Sequence, residues 1–305
     1  MQKLTIATRK SKLALWQANF VKTQLEKQFP KLTITLIELS TEGDENQIDA
    51  LNNIGGKSLF VKKIQAAVLQ KKADMAVHSI KDMSVYDEKG LTLAAILERE
   101  DARDVFISNH YTYLSDLPAN ALVGTGSPRR ECLIRALRPD VSIQLLRGNV
   151  DTRLQKVADG EFDAVILAAA GVKRLGMIAR IQSYFSVETF TPAIGQGAIG
   201  VECREADEEI QLMLQKINHE ATALCVQAER SVNRVLQGDC HSPIGAHAYL
   251  QQNQLHLHAM VGSIDGKKII NVYQVGDSKD ALDIGKVAAE KLLADGAKNL
   301  LEPYA

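Results

Sequence analysis

This sequence has few aromatic side chains and almost no net charge. Phe, Trp and Tyr make up 5% of the 305 residues, and the formal net charge is −1. A protein that holds a nucleic-acid backbone needs a basic field, and one that binds single strands needs aromatic rings for base stacking. The two shortages argue against a nucleic-acid partner. Any anion site in this chain must therefore be local.

Cysteine is rare as well. Cys132, Cys203, Cys225 and Cys240 are scattered without Cys-x-x-Cys spacing, which argues against a zinc site and against a disulfide framework. The sequence also has no apolar run long enough to span a bilayer and no leader-like segment at its start. We therefore expect a cytoplasmic protein with reduced thiols, no bound metal and no membrane partner.

The residues that are present favour an α/β fold. The apolar fraction is 46%, and a chain of this length allows two or three domains at roughly 100–200 residues each. Predicted strands at 4–8, 33–39 and 74–77 alternate with helical patterns, and this order predicts a parallel sheet with helices on its faces. Residues 91–97 are predicted to form another apolar strand. The first helix is expected to bury one face, which carries Leu13, Trp16, Phe20 and Val21; the second carries Phe60, Ile64 and Val68 on one stripe.

The same architecture repeats further along. Strands are predicted at 121–124, 141–146 and 164–168, and residues 191–201 read as a turn that returns the chain into a strand of the first domain. The charged run 98–104 between the two halves is either a hinge or an ordinary solvated connection. Helices at 207–218 and 220–236, strands at 245–250, 254–261 and 268–275, and a helix at 280–294 then predict a small α+β domain.

Polar residues follow the predicted strand 74–77. His78, Ser79, Lys81 and Asp82 come directly after it, and ligands in open α/β sheets bind outside the carboxyl ends of strands. The alternative is a solvated turn in which Lys81 and Asp82 neutralise each other, a pairing that contributes little.

Arginines mark the other strand ends. Ser127 is a good N-cap residue and Pro128 suits the first helical position, so Arg129 and Arg130 stand beside a helix N-terminus that favours anions. Five arginines fall at three such strand–helix turns, in addition to Arg9 at the first: Arg129, Arg130, Arg147, Arg153 and Arg174. Guanidinium groups bind carboxylates bidentately, so the pattern indicates a ligand with several carboxylates.

Two further features are ambiguous when taken alone. GGK at 55–57 lacks the spacing of a phosphate-binding P-loop and equally fits a loop feeding a helix. Cys240 lies next to His241 in a loop flanked by glycines, where it is either a nucleophile or an inert thiol.

Taken together, these segments resemble the porphobilinogen deaminase family, also called hydroxymethylbilane synthases, along nearly the whole chain. The matching segments are IATRKSKLAL (6–15), GGKSLF (55–60), HSIKD (78–82), GTGSPRR (124–130), LRGNVDTR (146–153), AAAGVKRL (168–175), GQGA (195–198) and GDCHSPIG (238–245). Ser84 departs from the family, which usually has proline there, so the loop after Asp82 is expected to be less rigid.

The resemblance implies a fold and a division into domains. The family has two periplasmic-binding-protein-like domains with central sheets, a substrate cleft between them, and a small α+β C-terminal domain. On this chain, domain 1 would comprise residues 1–98 and 197–217, domain 2 residues 103–192, and domain 3 residues 220–305. The family also implies a monomer.

The resemblance further implies a reaction. The family condenses four porphobilinogen molecules head to tail into hydroxymethylbilane and releases ammonia at each addition. Its primer is a dipyrromethane cofactor, bound by a thioether to the cysteine that Cys240 matches. A non-catalytic cytosolic binding protein for a polycarboxylate metabolite is the alternative, because a fold does not fix a function.

The resemblance also implies roles for particular residues. It makes Asp82 the catalytic residue and Lys81 a neighbouring cation that favours the ionised carboxylate. Besides Cys240, the residues implied to hold the cofactor are Ser79, Lys81, Thr125, Ser127, Arg129, Arg130 and Arg147. Those implied to hold the substrate are Arg9, Ser11, Arg153, Arg174 and Gln196.

Overall fold

The computed structural model describes residues 3–39, 56–238 and 242–302, with the backbone alone for 56–60. The chain forms two compact units, one of residues 1–99 and 198–223 and one of residues 100–197 and 224–305. The finer division into three domains stays a prediction. In the ranges described, no helix is both long enough and apolar enough to cross a membrane.

Strands and helices alternate through most of the chain. The strands are β1 (Lys3–Arg9), β2 (Thr33–Leu39), β3 (Met75–Ser79), β4 (Leu91–Ile96), β5 (Asp104–Ser108), β6 (Leu122–Thr125), β7 (Ser142–Leu145), β8 (Ala164–Ala168), β9 (Ser183–Tyr184), β10 (Ile199–Arg204), β11 (Ile244–Gln251), β12 (Gln254–Gly262) and β13 (Ile269–Asp277). The helices are α1 (Lys12–Gln28), α2 (Gly56–Leu69), α3 (Pro128–Leu137), α4 (Val150–Ala158), α5 (Ala169–Arg174), α6 (Glu208–Gln215), α7 (Glu220–Leu236), α8 (Ala281–Ala294) and α9 (Ala297–Leu301).

The first unit contains a five-stranded sheet in the order β2-β1-β3-β10-β4. Its strands β1, β2 and β3 are parallel, as predicted. The all-parallel expectation is wrong for the rest of the sheet, because β10 runs antiparallel to both β3 and β4. The returning strand thus enters the sheet from the opposite direction, between two strands that come earlier in the chain.

The face of helix α1 that packs on this sheet matches the predicted one in part, because Val21 is buried and Phe20 packs against the core. Its buried residues are Gln17, Ala18, Val21 and Leu25. Trp16 was expected in the core but is 37% exposed and stacks on the Phe20 ring, with 5.2 Å between centroids. The apolar spacing therefore predicted the burial of Val21 correctly and that of Trp16 wrongly.

The second unit contains a sheet with the matching order β7-β6-β8-β5-β9. Three strands are again parallel, and β5 pairs antiparallel to β8 just as β10 pairs to β3. Because β5 runs antiparallel to β8, its first residue, Asp104, pairs with Ala168 at the carboxyl end of β8. An acid therefore lies at the same edge as the strand ends that carry the arginines.

A three-stranded antiparallel sheet, β11-β12-β13, completes the second unit. One face packs against α7 and α8 through a core that includes Ala246, Leu257, Val232 and Ala288. With this sheet, the predicted class of α/β protein with two central sheets and a small α+β C-terminal part is confirmed.

Candidate active site

In the first unit, the parallel strands β1 and β3 end at one edge of the sheet. Arg9 is the last residue of β1, and Ser11 caps α1 by accepting a hydrogen bond from the Ala14 N–H (3.3 Å). Ser79 ends β3, and its hydroxyl lies 2.8 Å from Nε2 of the buried Gln17. Arg9 and Ser79 thus end neighbouring parallel strands at one edge of the sheet, where ligands bind in open α/β sheets.

Lys81 and Asp82 lie in a single 3₁₀ turn, Ile80–Asp82, directly after β3. The turn is fixed at its start, because the Ile80 N–H donates to the Ala198 carbonyl (3.1 Å) and the Ile80 side chain is buried. The Met83 N–H donates back to the Ile80 carbonyl (3.0 Å). Lys81 is exposed and Asp82 is half-buried, so the carboxylate is held in a defined turn at the edge of the sheet.

A buried polar group lies on β3 just before this turn. His78 Nε2 is 2.9 Å from Glu202 Oε2 on β10, and Gln65 Nε2 donates to both Glu202 oxygens at 3.1 Å. All three side chains are buried. This network ties α2, β3 and β10 together behind the turn that carries Asp82.

Gly200 leaves room for the turn, and this gives a testable prediction. A Cβ at this position would clash with Ile80 Cδ1 and would lie 2.8 Å from Leu93 Cδ1. We expect Gly200→Ala to displace Ile80 and hence Lys81 and Asp82, and to reduce turnover by roughly ten- to a hundredfold. The measurement is product formation per folded molecule.

Gly276→Ala is the matched control for that experiment. Gly276 is a strand glycine crowded by Ile284 atoms at 2.9 and 3.0 Å from the added Cβ, in the C-terminal sheet. This variant should change the melting temperature with little effect on turnover. Equal losses of turnover in both variants would show that general destabilisation, and not the turn, is responsible.

In the second unit, β6, β7 and β8 bring their carboxyl ends to one edge. Ser127 caps α3 by accepting from the Arg130 N–H, and Pro128 is the first helical residue, as predicted. The buried Thr125 accepts a hydrogen bond from the Ser127 N–H through its hydroxyl (3.2 Å). Arg147 follows β7, and Asn149 occupies the N-cap position of α4.

The remaining second-unit residues are also placed at this edge. Arg153 Nε donates to the Gly148 carbonyl (2.8 Å), which turns the side chain back toward the loop before α4. Arg174 ends α5 and donates through Nη2 to the Gly197 carbonyl (2.8 Å). Burial lowers the pKa of Arg174 to about 10, so it remains charged at neutral pH.

Arg129 and Arg130 have surroundings that the sequence did not reveal. Both are buried, at 3% and 6% exposed, and both contact the fully buried Asp104. Arg129 Nη2 lies 2.8 Å from Asp104 Oδ2, and Arg130 Nη2 lies 2.8 Å from Asp104 Oδ1. Although desolvation opposes ionisation, the two guanidinium groups hold the pKa of Asp104 at about 2, so it is a carboxylate at neutral pH.

Gln196 completes this cluster. It is fully buried and donates through Nε2 to the Ala102 carbonyl (2.7 Å) and to Asp104 Oδ1 (2.9 Å). The sequence did not identify Asp104 as a site residue, because it ends a charged run that we expected to be a hinge or a solvated connection. The available signal was its position immediately before the apolar strand residues 105–107.

Cys240 and His241 lie outside the described residues, as do the loop 40–44 and Gly55. Among the residues whose side chains are described, no group of three or more His, Cys, Asp or Glu is arranged to hold a metal ion.

The fold and these strand ends define a class: an α/β protein with two mixed sheets whose carboxyl edges carry cationic groups suited to an anionic ligand. The chain belongs to the porphobilinogen deaminase family. Residues 4–212 match the family model "Porphobilinogen deaminase, dipyromethane cofactor binding domain", and residues 223–294 match "Porphobilinogen deaminase, C-terminal domain".

Curated relatives agree with the family models. The porphobilinogen deaminases of Coxiella burnetii strains Dugway 5J108-111 and RSA 493 are each 50% identical to this chain over 298 residues, covering 98% of this chain and 96% of the relative. Among solved structures, the periplasmic aliphatic sulphonate binding protein SsuA of Escherichia coli is 15% identical to this chain. The match covers 78% of this chain and 71% of the SsuA chain, with a TM-score of 0.41. The BvgS VFT2 domain of Bordetella pertussis is 15% identical, covering 71% of this chain and 86% of its own, with a TM-score of 0.44.

Proposed function

We propose that this chain condenses four porphobilinogen molecules head to tail into the linear tetrapyrrole hydroxymethylbilane, releasing ammonia at each addition. The growing chain is attached to a dipyrromethane primer that Cys240 binds through a thioether. The observation that carries this proposal is the family match, which spans residues 4–212 and 223–294 and is accompanied by 50% identity over 98% of the chain.

The cationic strand ends fit this chemistry. Porphobilinogen carries an acetate and a propionate, so a growing chain gains two carboxylates with each ring. Guanidinium groups and a helix N-terminus suit such groups. We assign the residues that hold cofactor carboxylates to the strand-end set Ser79, Lys81, Thr125, Ser127, Arg129, Arg130 and Arg147, and those that hold substrate to Arg9, Ser11, Arg153, Arg174 and Gln196.

The second unit offers a donor set that fits the cofactor. Arg129 Nε is buried next to the N-terminus of α3 and has no hydrogen-bond partner among the described residues. A buried donor of this kind is costly unless a ligand or water satisfies it. When bound, dipyrromethane supplies the pyrrole carbon to which the first substrate is joined.

Asp82 is the group we assign to the chemistry on the substrate. Loss of ammonia from the aminomethyl group of porphobilinogen leaves a cationic azafulvene, which a carboxylate near the pyrrole nitrogen stabilises. The same carboxylate can take up and return the pyrrole proton. Lys81, its neighbour in the 3₁₀ turn, favours the ionised form.

The compartment and assembly state follow from other features. We propose a cytoplasmic monomer that binds no nucleic acid. The net charge of −1 supports the absence of a nucleic-acid partner. Among the residues that the structure describes, Cys132 and Cys203 are free and buried, which supports a reducing compartment. The monomer rests on family resemblance.

The intact mass of the denatured protein tests the proposed cofactor. We expect active protein to be heavier than its sequence by one dipyrromethane, because a thioether survives denaturation. Cys240→Ser should lack that increment, and Cys132→Ser, at a buried thiol, should retain it. Active wild-type protein with the bare mass of the sequence would refute covalent attachment.

A further inference from the structure

One carboxylate connects the two arginines of the GTGSPRR segment. Asp104 begins β5 and is 0% exposed, so neither water nor a surface ion can neutralise it. Its Oδ2 faces Arg129 Nη2 at 2.8 Å, and its Oδ1 accepts from Arg130 Nη2 and Nε at 2.8 and 3.1 Å. Both guanidinium groups are therefore oriented by the same side chain.

Each guanidinium is also fixed on a second side by a backbone carbonyl. Arg129 Nη1 donates to the Thr191 carbonyl (2.8 Å), and Arg130 Nη1 donates to the Ile166 carbonyl (3.0 Å). A planar group held at two points cannot rotate about its long side chain without breaking one of these contacts. The arginines are thus pre-organised, which lowers the entropic cost of binding a ligand.

The charge balance of the cluster is equally defined. Two guanidinium groups and one carboxylate leave a single net positive charge in a buried place. Without Asp104, two like charges would be desolvated side by side, a costly arrangement. With Asp104 present, the two arginines and the aspartate together carry one net positive charge, which complements a single carboxylate of the ligand.

Asp104 is linked to the C-terminal part of the unit through Gly195 and Gln196. Gln196 Nε2 donates to Asp104 Oδ1 (2.9 Å), and the preceding Gly195 N–H donates to Glu229 Oε2 (2.7 Å). Glu229 is fully buried on α7 and also accepts from the Ala248 N–H on β11 (2.7 Å). In sequence, α7 and β11 are the elements before and after Cys240, so the contacts extend from the two elements that flank the proposed attachment residue to the arginine pair.

We propose that Asp104 is a positioning residue for cofactor assembly: it fixes Arg129 and Arg130 in orientation and in net charge, and so presents them to a carboxylate of the dipyrromethane. This inference rests on the proposed function. Asp104 acts through the two arginines and does not itself touch the ligand.

The test compares Asp104→Asn with Asp101→Asn in the full chain. Asp101 is the matched control, since it also pairs with an arginine, Arg103, at 2.7 Å in the same charged run. Each protein is purified from cells that make no porphobilinogen and then incubated with porphobilinogen, and the intact mass is followed over time. We expect cofactor loading to be about a hundredfold slower for Asp104→Asn, as for a misplaced binding group, and within about twofold of wild type for Asp101→Asn.

A double-mutant cycle separates positioning from general stability. If Asp104 works through the arginines, Asp104→Asn combined with Arg129→Leu should slow loading by less than the product of the two single effects, because Arg129 is no longer there to be positioned while Arg130 still is. Additive effects, or wild-type loading in Asp104→Asn, would overturn the proposal.

Two further comparisons keep the result interpretable. If Asp104→Asn does not fold, Asp104→Glu takes its place, because it keeps the charge and moves it by one methylene. Slow cofactor loading by a folded Asp104→Glu protein would support the proposal. Loading at the wild-type rate would reject it. A wild-type chain that gains no mass and makes no product would instead refute the proposed function, whatever the variants do.

Discussion

Asp82→Asn is expected to be essentially inactive, whereas Asp82→Glu should retain slow turnover. Asn is nearly isosteric with Asp and still accepts a hydrogen bond from a pyrrole N–H, but it carries no charge and cannot take up a proton at neutral pH. Losing both proton transfer and charge stabilisation should cost on the order of 10⁴-fold or more. Glu keeps both abilities and misplaces them, for a loss of roughly a hundredfold.

The measurement is product formation from porphobilinogen on preparations matched for cofactor content by intact mass. Both variants should fold, because Asp82 is half-buried in a turn at the edge of the sheet and contributes little to the core. Glu88→Gln makes the same acid-to-amide change at an exposed position between the turn and β4, and should leave turnover unchanged. An Asn variant as fast as the Glu variant would show that charge is not what Asp82 supplies.

Local patterns were sufficient to predict most of the elements. Strands 33–39 and 164–168 have the predicted bounds, because β-branched and apolar runs between turn residues indicate a strand directly. Local patterns did not show whether each strand runs parallel or antiparallel to its neighbours. The pattern of residues 199–204 reads as a strand, but its antiparallel pairing with β3 depends on the path of the chain through the second unit.

The sequence predicted that the site residues would meet at the strand ends, but it did not predict their contacts. Residues that follow successive parallel strands must meet at one edge of a sheet, and this placed Arg9 with Lys81 and Thr125 with Arg147. The burial of Arg130 was out of reach, because its partner Asp104 lies 26 residues earlier in a run of mixed charge. A sequence shows which side chains are charged, while a pairing over that distance depends on the sheet register.

Arg130→Leu is expected to yield protein that lacks the cofactor and is less stable. The leucine removes a donor that we assign to a cofactor carboxylate, and it also leaves the buried Asp104 with one guanidinium partner instead of two. Removing one partner of a buried ion pair typically costs about 3–5 kcal/mol of unfolding free energy. The pKa of Asp104 should rise from its value of about 2, because the Coulombic effect of Arg130 contributes to lowering it.

The contrast with Arg153→Leu makes this prediction specific. Arg153 is half-buried and donates to the Gly148 carbonyl, and we assign it to the substrate. Arg153→Leu should therefore carry the full cofactor mass and melt near the wild-type temperature, yet extend the chain slowly. Intact mass, thermal unfolding and product formation are measured on both variants. If Arg130→Leu carries the full cofactor mass and extends the chain normally, then Arg130 is only the internal counter-ion of Asp104, and the cofactor carboxylates are held elsewhere.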